Sequence, residues 1–191
     1  MLLSGLVQFS SVHAVEIESI IASKTGGRYT VELMLVADIP ETFAREILED
    51  PDRVVQVNNE LIAVHHIPSE QPGVGWFRDH TQACVLFFCV DYENTLSLRI
   101  LENRDIQLIV EPELSDFKYG VFTWRTEPVD KGRTRLVFNA VSEPGFWVPT
   151  VGLLKYRMRK GIREMVLNME CEYRQDEVCT DPGWEDSTLS E

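Results

Sequence analysis

Basic charge is what this chain has least of. Eighteen Lys and Arg stand against 31 Asp and Glu, for a formal net charge of −13 and a pI near 4.7. A surface that binds nucleic-acid phosphates needs a dominant basic field, so nucleic acid is excluded as a partner class. Long apolar runs are missing as well. No segment approaches the roughly 18 uninterrupted apolar residues of a helical membrane span, so the mature chain is expected to be soluble. No Ser-His-Asp set, glycine-rich phosphate loop or helically spaced His pair occurs, which removes the best-marked hydrolase, nucleotide and metal classes. Neither cysteine pair (Cys84 and Cys89, Cys171 and Cys179) has C-x-x-C spacing or a nearby His, so zinc is a poor fit. No cofactor is expected. The body contains no internal repeat and no low-complexity linker.

What remains is enough for one domain with a real core and room for a cavity: 191 residues and 21.9 kDa. The first residues, Met1-Leu2-Leu3-Ser4-Gly5-Leu6-Val7-Gln8-Phe9, are a short apolar run, followed by Ser10-Ser11-Val12-His13-Ala14. Val12 and Ala14 occupy small-residue cleavage positions, so 1–14 reads as a signal-peptide remnant and the protein as periplasmic or secreted. A basic region ahead of the run is absent, and an N-terminal strand in a cytoplasmic protein is the alternative. Residues 15–174 form the single domain. Residues 175–191 carry six acidic side chains and no Lys or Arg, the composition of a solvated, disordered tail.

Four cysteines suit an oxidising compartment and allow three pairings. In one regular strand Cys84 and Cys89 would lie roughly 17 Å apart, beyond bridging distance unless a bend intervenes. Cys171 and Cys179 are joined more easily, because the chain can turn back after its last helix.

Alternation and turn chemistry lay out the elements. Val15 to Lys24 and Arg28 to Ala37 read as strands around Thr25-Gly26-Gly27, since Gly-Gly supplies the positive φ of a tight hairpin. Asp38-Ile39-Pro40-Glu41 starts a short helix that Asp50-Pro51-Asp52 ends, with another turn or two through Val54 and Val55. Strands follow at Leu61–Ile67, Trp76–Val90, Leu96–Leu101, Ile106–Val110, Phe117–Arg125 and Arg133–Val141. The breaks fall at Tyr92-Glu93-Asn94, 102–105, 111–113 and 129–132, and such short connections predict an antiparallel meander. A long helix from Val151 to about Arg174 carries Leu154, Met158, Ile162, Met165, Met169 and Tyr173 at three- and four-residue steps. That apolar stripe belongs against the concave face of the sheet.

Two stretches resemble a known superfamily. Ala37-Asp38-Ile39-Pro40-Glu41-Thr42-Phe43 with Leu48-Glu49-Asp50-Pro51-Asp52 is similar to the entry helix of the START-like, or SRPBCC, superfamily. Phe117 to Trp124 with Glu127-Pro128, then Thr134 to Phe138, looks like the paired strands of its polyketide-cyclase-like and coenzyme-Q-binding-like branches. The resemblance spans roughly Tyr29 to Arg174 as spacing, without a catalytic signature. It implies an α+β helix-grip fold, a curved antiparallel sheet wrapped around a long C-terminal helix, with two short helices after the first long strand. It also implies a hydrophobic ligand, such as a lipid, quinone or polyketide-like molecule, held between sheet and helix. Fold alone does not select among carriers, cyclases or aromatases, and noncatalytic interaction modules.

The candidate ligand-binding residues follow from this frame. Phe138, Leu154, Met158, Ile162, Met165 and Met169 would form the apolar wall, the methionines adapting to a flexible tail. Trp76 and Arg78 share one strand face and would form a polar end, with outward placement as the equal alternative. Of His65 and His66, and of Asp79 and His80, parity allows one inward side chain each. With no convergent acid-base partners visible, no catalytic residue is assigned. Phe146 and Trp147, between Pro144 and Pro149, read as a staple fixing the helix entry angle, or as a gate. Lys155, Arg157, Arg159, Lys160 and Arg163 read first as the water-facing side of the helix, and otherwise as a docking patch for a membrane or a protein.

Overall fold

The computed structural model describes residues 15–69, 72–85, 88–148 and 150–175. The elements in chain order are β1 (Glu16–Thr25), β2 (Arg28–Ala37), α1 (Glu41–Leu48), α2 (Pro51–Val57), β3 (Leu61–Ile67), β4 (Val74–Val85), β5 (Phe88–Ile100), β6 (Ile106–Val110), a 3-10 turn (Pro112–Leu114), β7 (Phe117–Pro128), β8 (Thr134–Pro144) and α3 (Val151–Arg174). The strands form one antiparallel sheet in the order β1-β2-β8-β7-β6-β5-β4-β3. All neighbours but one are consecutive in sequence. The exception, β2 against β8, places the first hairpin beside the last strand and sends the chain through α1 and α2 to the far edge, where β3 starts. The long helix lies on the curved sheet, so the fold is the expected α+β helix grip.

Local chemistry accounts for the helix boundaries. Pro40 precedes α1 in an extended conformation, and the Asp50 carboxylate accepts the Asp52 amide at 3.0 Å, with Pro51 opening α2. Thr150 caps α3 through the Leu153 amide, and Gln175 ends it in the left-handed region at φ 58°. The Glu170 carboxylate, buried within α3, accepts the Asp38 amide at 2.8 Å and ties the helix to the end of β2.

The core is strongest under the second half of α3. Ile162, Met165, Val166 and Met169 pack with Leu33, Leu35, Leu136 and Phe138 of the sheet and with Ala44 and Ile47 of α1. Each such side chain removed from water contributes about 1.5–3 kcal/mol before ordering costs. A second cluster, Phe77, Leu96, Val110 and Phe117, occupies the same face toward the β3–β5 edge.

Three readings of the sequence are corrected here. The run 76–90 is not one strand: β4 and β5 pair antiparallel from Val74↔Arg99 to Val85↔Phe88. Cys84 and Cys89 are therefore opposite each other, with α-carbons 3.9 Å apart, and are joined by a disulfide. Tyr92-Glu93-Asn94 is not a break but lies within β5. Cys171 is disulfide-bonded, and its expected partner, Cys179, lies outside the described residues. The signal-like segment 1–14 and the acidic tail after Gln175 lie outside them as well.

Candidate functional site on the concave face

Side-chain parity decides what faces the helix. On β4 the inward residues are Phe77, Asp79 and Thr81, which pair with Leu96, Asn94 and Tyr92 of β5. The neighbouring strands continue the face with Leu98, Leu108, Phe122, Trp124 and Phe138. Trp124 and Phe138 lie 4.6 Å apart between ring centroids. Ile162 and the methionines Met165 and Met169 are buried against this face, whereas Leu154 and Met158 are half-buried. Leu98, Leu108 and Phe122 are half-buried too. The first half of α3 thus covers its part of the sheet less completely than the second half does.

Trp76 and Arg78 are on the other side. Their phase is opposite to that of Phe77 and Asp79, Arg78 is exposed, and its neighbours across the ladder are His65 and Thr95. They are not the polar end of this concavity. His80 shares their face, and the His66 ring contacts Asp52 of α2 at 2.9 Å in an exposed position.

The polar end is formed by residues that sequence reasoning did not select. Asp79 accepts the Asn94 amide at 2.9 Å, and burial pushes its carboxyl up to about 6 against the lowering effect of those Asn94 hydrogen bonds. The Tyr92 hydroxyl is hydrogen-bonded with Thr81. Burial first, then the negative charges of Asp79 and Glu60, hold the phenol well above its ordinary range. Glu60 sits just ahead of β3, its amide held by Asn58 at 3.0 Å and its carbonyl by the Gln82 amide at 2.9 Å. Its carboxylate reaches α3, where it pairs with Arg157 and lies against Gly161. Burial raises Glu60, and the Arg157 charge opposes the rise. The Nε of Arg157 is buried with no hydrogen-bond partner among the described residues.

Two expectations about the helix change with this geometry. Arg157 and Arg163 are not part of a solvated basic stripe: the Arg157 side chain is 17% exposed and Arg163 is buried. Lys160 is engaged with Glu164 at 3.7 Å. Phe146 does not staple the helix. Its ring stacks on Tyr92 and meets Phe117 edge-on, at 5.3 and 5.5 Å between centroids, so it roofs the polar cluster. Trp147 beside it is 76% exposed.

The sequence of β4 carried no signal for the cluster, because its two phases hold three apolar residues each: Val74, Trp76 and Cys84 against Phe77, Ala83 and Val85. Among the described residues, no three His, Cys, Asp or Glu side chains are placed to hold a metal ion. The arrangement offers an apolar surface ending in a carboxyl, a phenol and an Arg–Glu pair. It can take an apolar molecule and hydrogen-bond one polar group on it.

No protein-family model and no curated protein sequence matches the chain. Solved structures do. The Zhui aromatase/cyclase from Streptomyces sp. R1128 superposes with a TM-score of 0.61 at 15% identity, over 78% of this chain and 94% of that one. A START superfamily protein from Mycobacterium smegmatis gives 0.61 at 13% identity, over 76% and 97%. The fold is START-like. Human StAR-related lipid transfer protein 5 shares this START-like fold with a TM-score of 0.57 at 10% identity, over 82% of this chain and 86% of that one. Identities this low carry the fold and not the chemistry.

Proposed function

We propose that this START-like chain is a carrier that binds a hydrophobic small molecule, of the lipid, quinone or polyketide-like class, between the sheet and the first half of α3. The observation that supports it is the contrast along α3: closed packing under Ile162 to Met169, but half-buried apolar side chains at Leu154, Met158, Leu98, Leu108 and Phe122. That apolar surface leads to the Asp79, Tyr92, Glu60 and Arg157 cluster, which would orient a polar head group while burial of the tail drives binding at about 25 cal/mol per Å². Solved structures of the same fold include a lipid transfer protein and an aromatase/cyclase, in keeping with a hydrophobic ligand. Export to the periplasm or beyond is part of the proposal, and the Cys84–Cys89 disulfide supports it, since such bonds persist in oxidising compartments.

The test is native mass spectrometry of the full chain purified without denaturant, followed by extraction and identification of any bound molecule. The proposal expects a copurified hydrophobic molecule, lost when Met158→Trp fills the space while the circular dichroism spectrum is retained. Repeatedly empty spectra, together with no uptake from mixed lipid, quinone and polyketide extracts, would refute it.

An enzyme of the polyketide cyclase or aromatase class is the second reading, and one observation favours it: a buried carboxyl titrating at about 6 beside a neutral tyrosine. A group so poised can exchange a proton near neutral pH. This reading expects turnover of a poly-carbonyl substrate that Asp79→Asn abolishes without loss of ligand binding.

A further inference from the structure

The second half of α3 is buried on more sides than a helix lying on a sheet requires. Ile162, Met165 and Met169 pack on the strands, Asn168 donates to the Val57 carbonyl of α2 at 2.8 Å, and Glu170 holds the Asp38 amide at the end of β2. Leu167 and Cys171 point elsewhere. Each is two positions from Met169, roughly 200° round the helix in opposite senses, so both sit on its back. They are buried all the same, at 9% and 7% exposure.

Covalent structure shows which part of the chain lies near them. Cys171 is disulfide-bonded and Cys84 is joined to Cys89, which leaves Cys179 as the partner among the four cysteines of the chain. Gln175 ends α3 in left-handed backbone at φ 58°, a conformation that turns the chain away from the helix axis. Residues 180–191 then start beside Cys171. Arg163 is about 12 Å back along α3 from Cys171, and the chain from Cys179 to Glu185 spans up to about 20 Å, so the segment has the reach to lie along the helix.

Its charge suits that position. Residues 176–191 hold six acidic side chains and no Lys or Arg. On its back and the adjoining flank α3 carries Arg159, Lys160, Arg163 and Arg174, with Arg163 buried. The acids of α3 on that side balance only part of this charge, Glu164 lying 3.7 Å from Lys160 and Glu170 3.8 Å from Arg174. A buried guanidinium favours carboxylate neighbours, because paired charge offsets the loss of water. Trp184 supplies a side chain large enough to cover Leu167.

We propose that residues 176–191 fold back as a strap over the outer side of α3, pinned by a Cys171–Cys179 disulfide, with Trp184 on Leu167 and Asp181, Glu185 and Asp186 toward the basic side chains. The acidic segment is then a part of the fold and not a free tail. It occupies the basic side of α3, so an external acidic partner has to displace it. The proposal stands apart from the carrier reading, since the strap lies on the side of α3 away from the concavity.

Thiol labelling of the full chain carrying Cys179→Ser tests it, because Cys171 is then a free thiol that senses what covers it. Under non-reducing conditions maleimide should label Cys171 slowly. Adding Trp184→Ser, or Glu185→Lys with Asp186→Lys, should speed labelling about tenfold, a modest part of what a buried indole contributes, with an unchanged circular dichroism spectrum. High salt should speed it as well. Peptide mapping of the unreduced parent should find Cys171 linked to Cys179. Another partner for Cys171, labelling as fast as in urea with Cys179→Ser alone, or slow labelling that the substitutions at 184–186 leave unchanged would each overturn the proposal, and the last would assign the cover to residues 1–14, to β1 or to a second copy.

Discussion

Replacing Asp79 by Asn should stabilise this protein, and the gain should depend on pH. The carboxyl titrates at about 6 in the fold against an ordinary value of 3.8, with burial as the largest cause. The folded state therefore holds the proton more tightly than the unfolded chain does, and stability falls as pH rises between the two values. A displacement of roughly two units corresponds to about 3 kcal/mol, present in full above pH 7, shrinking through pH 6 and largely gone by pH 4. Asn retains an oxygen for the Asn94 amide and carries no charge, so it escapes this cost. The assay is urea unfolding of parent and variant across pH 4 to 8, reading the difference between them so that other titrating groups cancel. At pH 8 the variant should gain about 6–12 °C in melting temperature for a domain of this size. A difference that stays flat with pH would refute the reasoning. A difference of opposite sign would show that the Asn94 hydrogen bonds stabilise the carboxylate more than burial destabilises it.

Two further outcomes follow from packing and covalent structure. Gly120→Ala adds a Cβ that collides with the Val110 side chain on the concave face. It should cost about 1–3 kcal/mol in thermal denaturation, with recovery when Val110 is cut back to Ala. Replacing Cys84 and Cys89 together by Ser opens a short loop, the cysteines being five positions apart. The loss should be roughly 2 kcal/mol, read as a lower urea midpoint with an unchanged circular dichroism spectrum.

Much of the architecture could be read from local pattern. The hairpin at Gly26-Gly27, the helix signals at Pro40 and Asp50, and the stripe from Leu154 to Met169 each depend on a few adjacent residues, and each is found where expected. The long β4–β5 hairpin was harder. Its turn has no glycine, proline or asparagine, so the run looked continuous, and the adjacency of Cys84 and Cys89 vanished with the turn.

The candidate site divides along the same line. Phe138, Ile162, Met165 and Met169 were visible as inward residues because periodicity alone assigns the apolar face of a strand or helix. Trp76 and Arg78 were misplaced because alternation separates two faces without saying which is inside. Glu60, Asp79, Tyr92 and Arg157 come from a loop, two strands and a helix, with up to 97 positions between members.

The sequence by itself determined the element order, the acidic character and the apolar stripe of α3, since composition and short-range periodicity encode them. Only the tertiary structure decided which phase of β4 faces the helix, which basic residues of α3 turn inward, and that a carboxyl, a phenol and an ion pair share one end of an apolar concavity. These are consequences of strand register and chain crossing, and no window of neighbouring residues contains them.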